Sequence, residues 1–348
     1  MRIASVDVIP YALPFREPYL TAAGRLDRRE LVLLRLHSEG GLLGLGEAVP
    51  MSLRGGPSLA RVVGELERLG ELATLDEAKL AGEGLALSAP ARCAALTGLA
   101  DLRGRQAAAE RGESTSSPPP VRCNATLVAG EPAAVAAEAE RWAGDGFTSF
   151  KLKLGVGDDL GQVRAVRDAV GPAASIRVDA NAAWDAETAK RTLAQLEPLG
   201  IELAEQPVAT LEEAAEVAAA TSIPISADES VESRADAERA RAAHACALTG
   251  IKLSKVGGPE AAIEIAEILP AYLSSALDGP VGIAAAAQVA ETLGGADLGL
   301  AHGLATRRLF STTVASVECE LRGDMLHPPT GPGLGVEIDE AALEAHRL

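Results

Sequence analysis

Apolar and polar residues alternate with a period of two near the start of the chain, shift to a longer period, and then settle into a repeat. Ile3–Tyr11 and Glu30–His37 alternate like half-buried strands, and GGLLGLGEAVP reads as a turn followed by another strand. From Ser58 to about Gln106, leucine and alanine recur at three- and four-residue intervals, which is helical spacing. The Pro/Ser-rich stretch Arg111–Pro120 interrupts this pattern and marks a boundary. Beyond it, short apolar runs alternate with Ala/Glu/Arg-rich stretches. VRCNATL precedes a helix expected around Pro132–Gly144, and FKLKLG one around Leu160–Val170. IRVDANAAW, IELAEQP, IPISADES and TGIKLSKVGG follow, each leading into a further helical stretch. Strand–helix alternation at this spacing predicts parallel βαβ units and an α/β fold. Six or more units in succession favour a (β/α) barrel, although the pattern leaves an open sheet available.

Composition narrows the function classes. The 348 residues carry a formal charge of −17, which repels nucleic acid and anionic membrane, so neither is an expected partner. With 47% apolar but only 3% aromatic residues, the core must be built from Ala, Leu, Val and Ile. Cys93, Cys123, Cys246 and Cys319 are scattered without ligand spacing and are expected to be reduced thiols. MRIASVDVIPYALPF lacks the apolar core and cleavage site of a secretory signal, and no run approaches the ~18 apolar residues of a membrane span. The expectation is a soluble, cytoplasmic protein.

The polar residues that end the apolar runs are evenly spaced. Lys153, Asp179, Glu205, Asp228 and Lys252 are separated by 26, 26, 23 and 24 residues. One βα unit of a barrel is about that long, so these five side chains are expected at equivalent places on successive strands. Strand ends of one polarity converge on a single mouth. Three acids in that mouth would raise one another's pKa unless a cation neutralised them. An all-oxygen set of Asp179, Glu205 and Asp228 suits Mg²⁺, with Mn²⁺ as a substitute, and lacks the His or Cys that Zn²⁺ favours. Any one such acid could instead be a helix cap; the shared register argues against that for all three.

Lysine usage points the same way. The chain has six lysines against 26 arginines, and four of the six are Lys151, Lys153, Lys252 and Lys255. Unlike arginine, lysine can give up its proton in an apolar setting. Strand alternation puts Lys151 and Lys153 on one face, with the expectation that each ammonium depresses the other's pKa and frees an amine to act as a base. Arg177, Asp179 and Asn181 share a face in the same way. Lys252 would stand across the mouth, and Lys255, of opposite parity, would be structural. A lysine base facing a divalent cation suits removal of a proton alpha to a carboxylate, the cation steadying the enediolate that forms. The implied partner is a small-molecule carboxylate, and a homo-oligomer is neither required nor excluded.

These motifs, KLK, VDAN, EQP, ADES and IKLSKVGG, resemble those of the enolase superfamily, muconate-lactonizing subgroup, over nearly the whole chain. The resemblance implies a modified (β/α)7β barrel with an N-terminal α+β capping domain completed by the C-terminal tail. The implied divisions are residues 1–118, 119–315 and 316–348. It assigns Asp179, Glu205 and Asp228 to Mg²⁺, Lys153 and Lys252 to an acid/base pair, Lys151 to tuning Lys153, and Asn181 and Glu229 to support; lysine with Mg²⁺ is established for such sites. YLSSALDGPVGIAAAAQVAETL, GLAHGLATRRLF and VRCNATL resemble o-succinylbenzoate synthases, which implies a lyase of menaquinone formation. ADLGLAHGLA lacks the DxD pair usual in dipeptide epimerases of the subgroup. N-acylamino acid racemase, dipeptide epimerase and muconate cycloisomerase are the alternative activities, and a non-catalytic binding protein is the alternative from another class. ANAAW departs from the commoner ANGxW. Leu20–Arg25 resembles a mobile cap loop, and Met51–Gly56 maps to no known contact.

Overall fold

The computed structural model describes residues 1–21, 24–51, 55–72, 75–84, 86–112, 118–293 and 299–348. Its N-terminal part is an antiparallel sheet of β1 (Arg2–Thr21), β2 (Gly24–Ser38), β3 (Leu43–Ala48) and β4 (Leu75–Asp76), in the order β3-β2-β1-β4. The first two strands run longer than the alternation suggested, and β1 continues through Pro10 and Pro14. Proline is tolerated because β4 pairs only with Arg2 and Ile3, leaving the rest of β1 at the sheet edge. The C-terminal segment covers that edge. Ala12 N donates to His346 O at 2.9 Å and Leu348 N to Pro10 O at 3.0 Å, so the tail returns to the cap.

LVLL in β2 (residues 31–34) is a continuous apolar run because the sheet is covered on both faces. Val32, Leu34 and Leu36 point into a core shared with α1 (Leu59–Gly70) and α3 (Ala89–Arg111). Leu31 and Leu33 point the other way, into the main core that reaches through the barrel. The helical stretch expected over 58–106 is divided. The pairing of β4 ends α1, and α2 (Glu77–Gly84) restarts where Asp76 accepts from Lys79 N at 2.8 Å. Gly112, at φ 63, ends α3. Half of the expected Pro/Ser-rich boundary, 113–117, lies outside the described residues.

The repeat beyond Pro120 is a barrel. After the short β5 (Val121–Arg122), seven parallel strands lie side by side in sequence order: β6 (Ala125–Leu127), β7 (Ser149–Lys153), β8 (Ser175–Asp179), β9 (Ile201–Glu205), β10 (Ile225–Ala227), β11 (Leu248–Ile251) and β12 (Ala271–Leu273). The connections carry α4 (Pro132–Gly144), α5 (Asp159–Val170), α6 (Ala186–Leu196), α7 (Leu211–Ala218), α8 (Arg234–Ala242), the pair α9 (Leu253–Val256) and α10 (Pro259–Ala266), and α11 (Pro280–Thr292). His302 and Gly303 close the ring, bridging Cys123 on one side and Ser274 on the other. Seven helical connections and eight strand positions make this the modified (β/α)7β barrel.

The closure depends on a neutral imidazole. His302 Nδ1 accepts from Leu273 N at 3.0 Å, which an imidazolium could not do. Burial, with help from the Arg177 and Arg122 charges, pushes this histidine down to about 4. A base depressed in the folded state contributes stability that is present above its unfolded pKa and lost as pH falls through the folded value. The expected loss between pH 6.5 and 4 is at most about 3 kcal/mol. His302→Asn, whose amide oxygen can still accept, should flatten the pH dependence of urea stability in that window; an unchanged slope would contradict this.

The turns that leave β8 and β9 are left-handed at Asn181 (φ 48), Ala182 (φ 61) and Gln206 (φ 39). Asparagine tolerates that region, whereas alanine is strained in it. Ala182 is the residue that makes the motif ANAAW, and its amide donates to Gln206 O at 2.7 Å. Ala182→Gly should raise stability by about 1 kcal/mol, read as a higher urea midpoint. A lowered midpoint would show that the alanine conformation is not strained.

Candidate active site

Strand register brings the expected residues together. Lys153 is level with Asp179, and Asp179 with Glu205, as direct partners across β7, β8 and β9. Asp228 follows β10, and Lys252 follows β11. All five side chains are buried, with Asp179 and Asp228 fully excluded from solvent. Lys151, Lys153 and Lys252 line one cavity between the barrel mouth and the cap.

Each carboxylate is engaged by ammonium groups. Lys151 Nζ donates to Glu205 Oε1 and Oε2 at 2.6 and 2.5 Å and lies 2.8 Å from Asp179 Oδ2. Lys153 Nζ donates to Asp179 Oδ2 at 2.5 Å and to Asn181 Oδ1 at 2.9 Å. Lys252 donates to Asp228 Oδ2, and Lys255 reaches the same carboxylate at 2.8 Å as well as the Asp228 carbonyl. Asn181 Nδ2 donates to Glu229 Oε1 at 3.1 Å, which ties the two expected supporting residues to each other.

The electrostatics correct one expectation. The expectation is that Lys151 and Lys153 depress one another, but each ammonium donates directly to a buried carboxylate. Burial would lower the Lys151 pKa, and the Asp179 and Glu205 charges outweigh it and hold it well above the usual lysine range. Burial likewise presses the Asp179 carboxyl upward, and Lys151 and Lys153 override it and hold the group low. Glu205 is raised by burial and by the Asp179 charge, despite Lys151.

Among the described residues, no three His, Cys, Asp or Glu side chains are drawn together tightly enough to hold an ion as they stand. The carboxylates are turned onto the lysines. The donor set nevertheless fits Mg²⁺ in kind: three hard oxygen ligands at adjacent strand ends, dry and without competing imidazole or thiolate.

Several neighbours of the site went unread in the sequence. Tyr272, inside the barrel, donates to Glu205 Oε2 and lies beneath the Arg177 guanidinium, 5.1 Å from its ring centre. Burial and the Glu205 charge push its phenol well above the ordinary range. Arg177 does share the inward face with Asp179, but it serves the barrel interior, donating to Glu202 and to Ala301 O at 2.6 Å. Gln206, visible only as the middle letter of EQP, accepts from Asp228 N at 2.8 Å and so fixes the next strand end. Thr126, Ser274, Ser275 and Thr306 line the cavity from the barrel, and Tyr19, Leu26, Arg29 and Met51 from the cap. Thr126 and the two serines sit in VRCNATL and YLSSALDG; nothing in the sequence marked Arg29. The centre of the expected cap loop (residues 22 and 23), residues 52–54 of the second loop, and 294–298, which include the first residues of ADLGLAHGLA, lie outside the described residues.

The four cysteines are free, three of them buried. No helix of the described residues is long and apolar enough to cross a membrane.

Comparison with known proteins agrees with this architecture. The family described as Enolase C-terminal domain-like matches residues 134–342. The o-succinylbenzoate synthase of Thermobifida fusca (strain YX) is 39% identical over 236 residues, which cover 65% of this chain and 72% of that protein. The muconate lactonizing enzyme from Pseudomonas fluorescens, solved with muconolactone, superposes with a TM-score of 0.90 at 28% identity and covers 99% of both chains. A dipeptide epimerase from Enterococcus faecalis V583, solved with Mg and L-Leu-L-Tyr, superposes at 0.87 with 26% identity and covers 97% of this chain and 100% of its own. With a matched domain spanning more than half its length and a barrel of the same build, the chain belongs to the enolase superfamily, as an enzyme of its muconate-lactonizing-like branch.

Proposed function

We propose that this enzyme removes a proton alpha to a substrate carboxylate, with Lys153 as the base and Asp179, Glu205 and Asp228 as ligands to Mg²⁺. The supporting observation is that Lys153 and Lys252 line one cavity, each beside a carboxylate of the same trio. Bound there, Mg²⁺ supplies positive charge to steady the electron density that builds on the substrate carboxylate oxygens. The residues do the rest. Lys153 Nζ takes the alpha proton, and Asn181 Oδ1 and Asp179 fix its approach. Lys151 holds Glu205 and Asp179 in place and tunes Lys153 through them. Lys252, anchored on Asp228, offers a cation to the opposite side of the bound ligand.

The reaction that best fits is dehydration to o-succinylbenzoate in the cytoplasm, supported by the 39% identity over 236 residues to the Thermobifida fusca o-succinylbenzoate synthase. The protonated Lys153 would return its proton to the departing hydroxyl, releasing water from the face that lost the proton. A racemase or epimerase is the second reading, and the presence of both lysines in the cavity favours it; there Lys153 and Lys252 would both exchange protons with the substrate.

An assay for o-succinylbenzoate formation with Mg²⁺, run beside N-succinylamino acids and dipeptides, separates the two. The lyase reading expects turnover of the first alone; deuterium uptake with inversion of an amino-acid derivative would replace it. Lys153→Ala should lower turnover by about a hundredfold or more while leaving Mg²⁺ binding intact. Retained turnover would remove Lys153 from the mechanism.

A further inference from the structure

Two cap side chains reach across to the turns that carry the site, and the mechanism uses neither. Glu47, on β3, is buried, and its carboxylate spans three elements. Oε2 accepts from Tyr11 OH at 2.8 Å within the cap. Oε1 accepts from Gly279 N at 2.6 Å and Gly282 N at 3.2 Å, at the start of the 13-residue helix α11. The negative charge therefore meets amides that helix geometry leaves without internal acceptors. Burial and the nearby Asp278 charge push this carboxyl up to about 7, so it is held there against a cost.

The segment before Gly279 walls the cavity. Ser274, Ser275, Ala276 and Leu277 all line it, and Leu277 is held at φ 67. Asp278 folds that turn by accepting from Ser275 Oγ and Ala276 N, both at 2.7 Å. It also accepts from Ser254 Oγ at 3.4 Å, which links the turn to the stretch between Lys252 and Lys255. Arg92 of α3 holds the end of that stretch. Its Nη2 donates to Val256 O at 2.9 Å and its Nε to Gly257 O at 3.3 Å.

The glycines of these motifs make the contacts sterically possible. A Cβ on Gly257 would stand 2.1 Å from Arg92 Nε, and one on Gly279 would stand 2.6 Å from Glu47 Oε2. KVGG and DGPVG thus leave room for cap side chains.

We propose that Glu47 is a positioning residue that sets the cavity wall Ser274–Leu277 from the cap, with Arg92 its counterpart for the turn that follows Lys252. Calling that wall substrate-facing rests on the reading above; the contacts themselves do not. The test is amide hydrogen exchange by mass spectrometry on the full chain without substrate, comparing wild type with Glu47→Gln, Glu47→Ala and Arg92→Ala. Glu47→Ala should speed exchange over residues 274–282 about tenfold or more, and α6, on a distant part of the barrel, should be unchanged. Glu47→Gln, which keeps an acceptor oxygen, should restore most of the protection. Arg92→Ala should act on 252–258 instead. Where the assays above yield a substrate, Glu47→Ala should raise KM more than it lowers kcat, with rescue by Gln. Unchanged exchange over 274–282 in Glu47→Ala would overturn the proposal whatever reaction the enzyme catalyses. Uniformly faster exchange throughout the barrel, not rescued by Gln, would reduce Glu47 to a general stabiliser and overturn it too.

Discussion

Three carboxylates buried at the ends of adjacent strands cannot remain ionised side by side without cations among them, and the architecture of the barrel mouth follows from that constraint. An unpaired charge in such a place would cost about 3–5 kcal/mol when its partner is removed. The chain meets the demand with Lys151, Lys153, Lys252 and Lys255, which engage Asp179, Glu205 and Asp228 among them. Paired in this way, the acids stay ionised at the mouth, where the proposed dication would find hard oxygen donors, and Lys151, Lys153 and Lys252 line the cavity beside them.

Charge alone does not fix the geometry. Level pairing of β7, β8 and β9 puts Lys153, Asp179 and Glu205 in one row, and Gln206 and Asn181, in left-handed turns, set the next groups relative to that row. Below it, Tyr272 donates to Glu205 inside the barrel, and the Arg177 guanidinium lies over its ring. The cap then covers the mouth, with its sheet buried on both faces and its edge covered by the returning C-terminal segment.

Much of this was legible because a barrel converts sequence spacing into spatial register. Five polar residues at intervals of about one βα unit marked the mouth before any strand was placed. The helices around 132–144 and 160–170 fell where periodicity put them. The readings that missed did so for physical reasons. The helical spacing over 58–106 left the breaks between α1, α2 and α3 unmarked, because periodicity does not register the pairing of Asp76 with Arg2 that falls among them. Strand alternation relates Lys151 to Lys153 on one strand but carries no sign of Glu205, which is 54 positions away in the chain. Arg29 and Glu47 belong to cap strands whose alternation says nothing about what they face across an interface.

The central claim is that Asp179, Glu205 and Asp228 jointly hold one divalent cation in reach of both lysines. Mn²⁺ binding followed by electron paramagnetic resonance tests it most directly, using wild type and the Asp179→Asn, Glu205→Gln and Asp228→Asn variants. The account predicts one tight site in the wild type, weakened in each single variant while the fold persists. Undiminished Mn²⁺ binding in all three folded variants would contradict it.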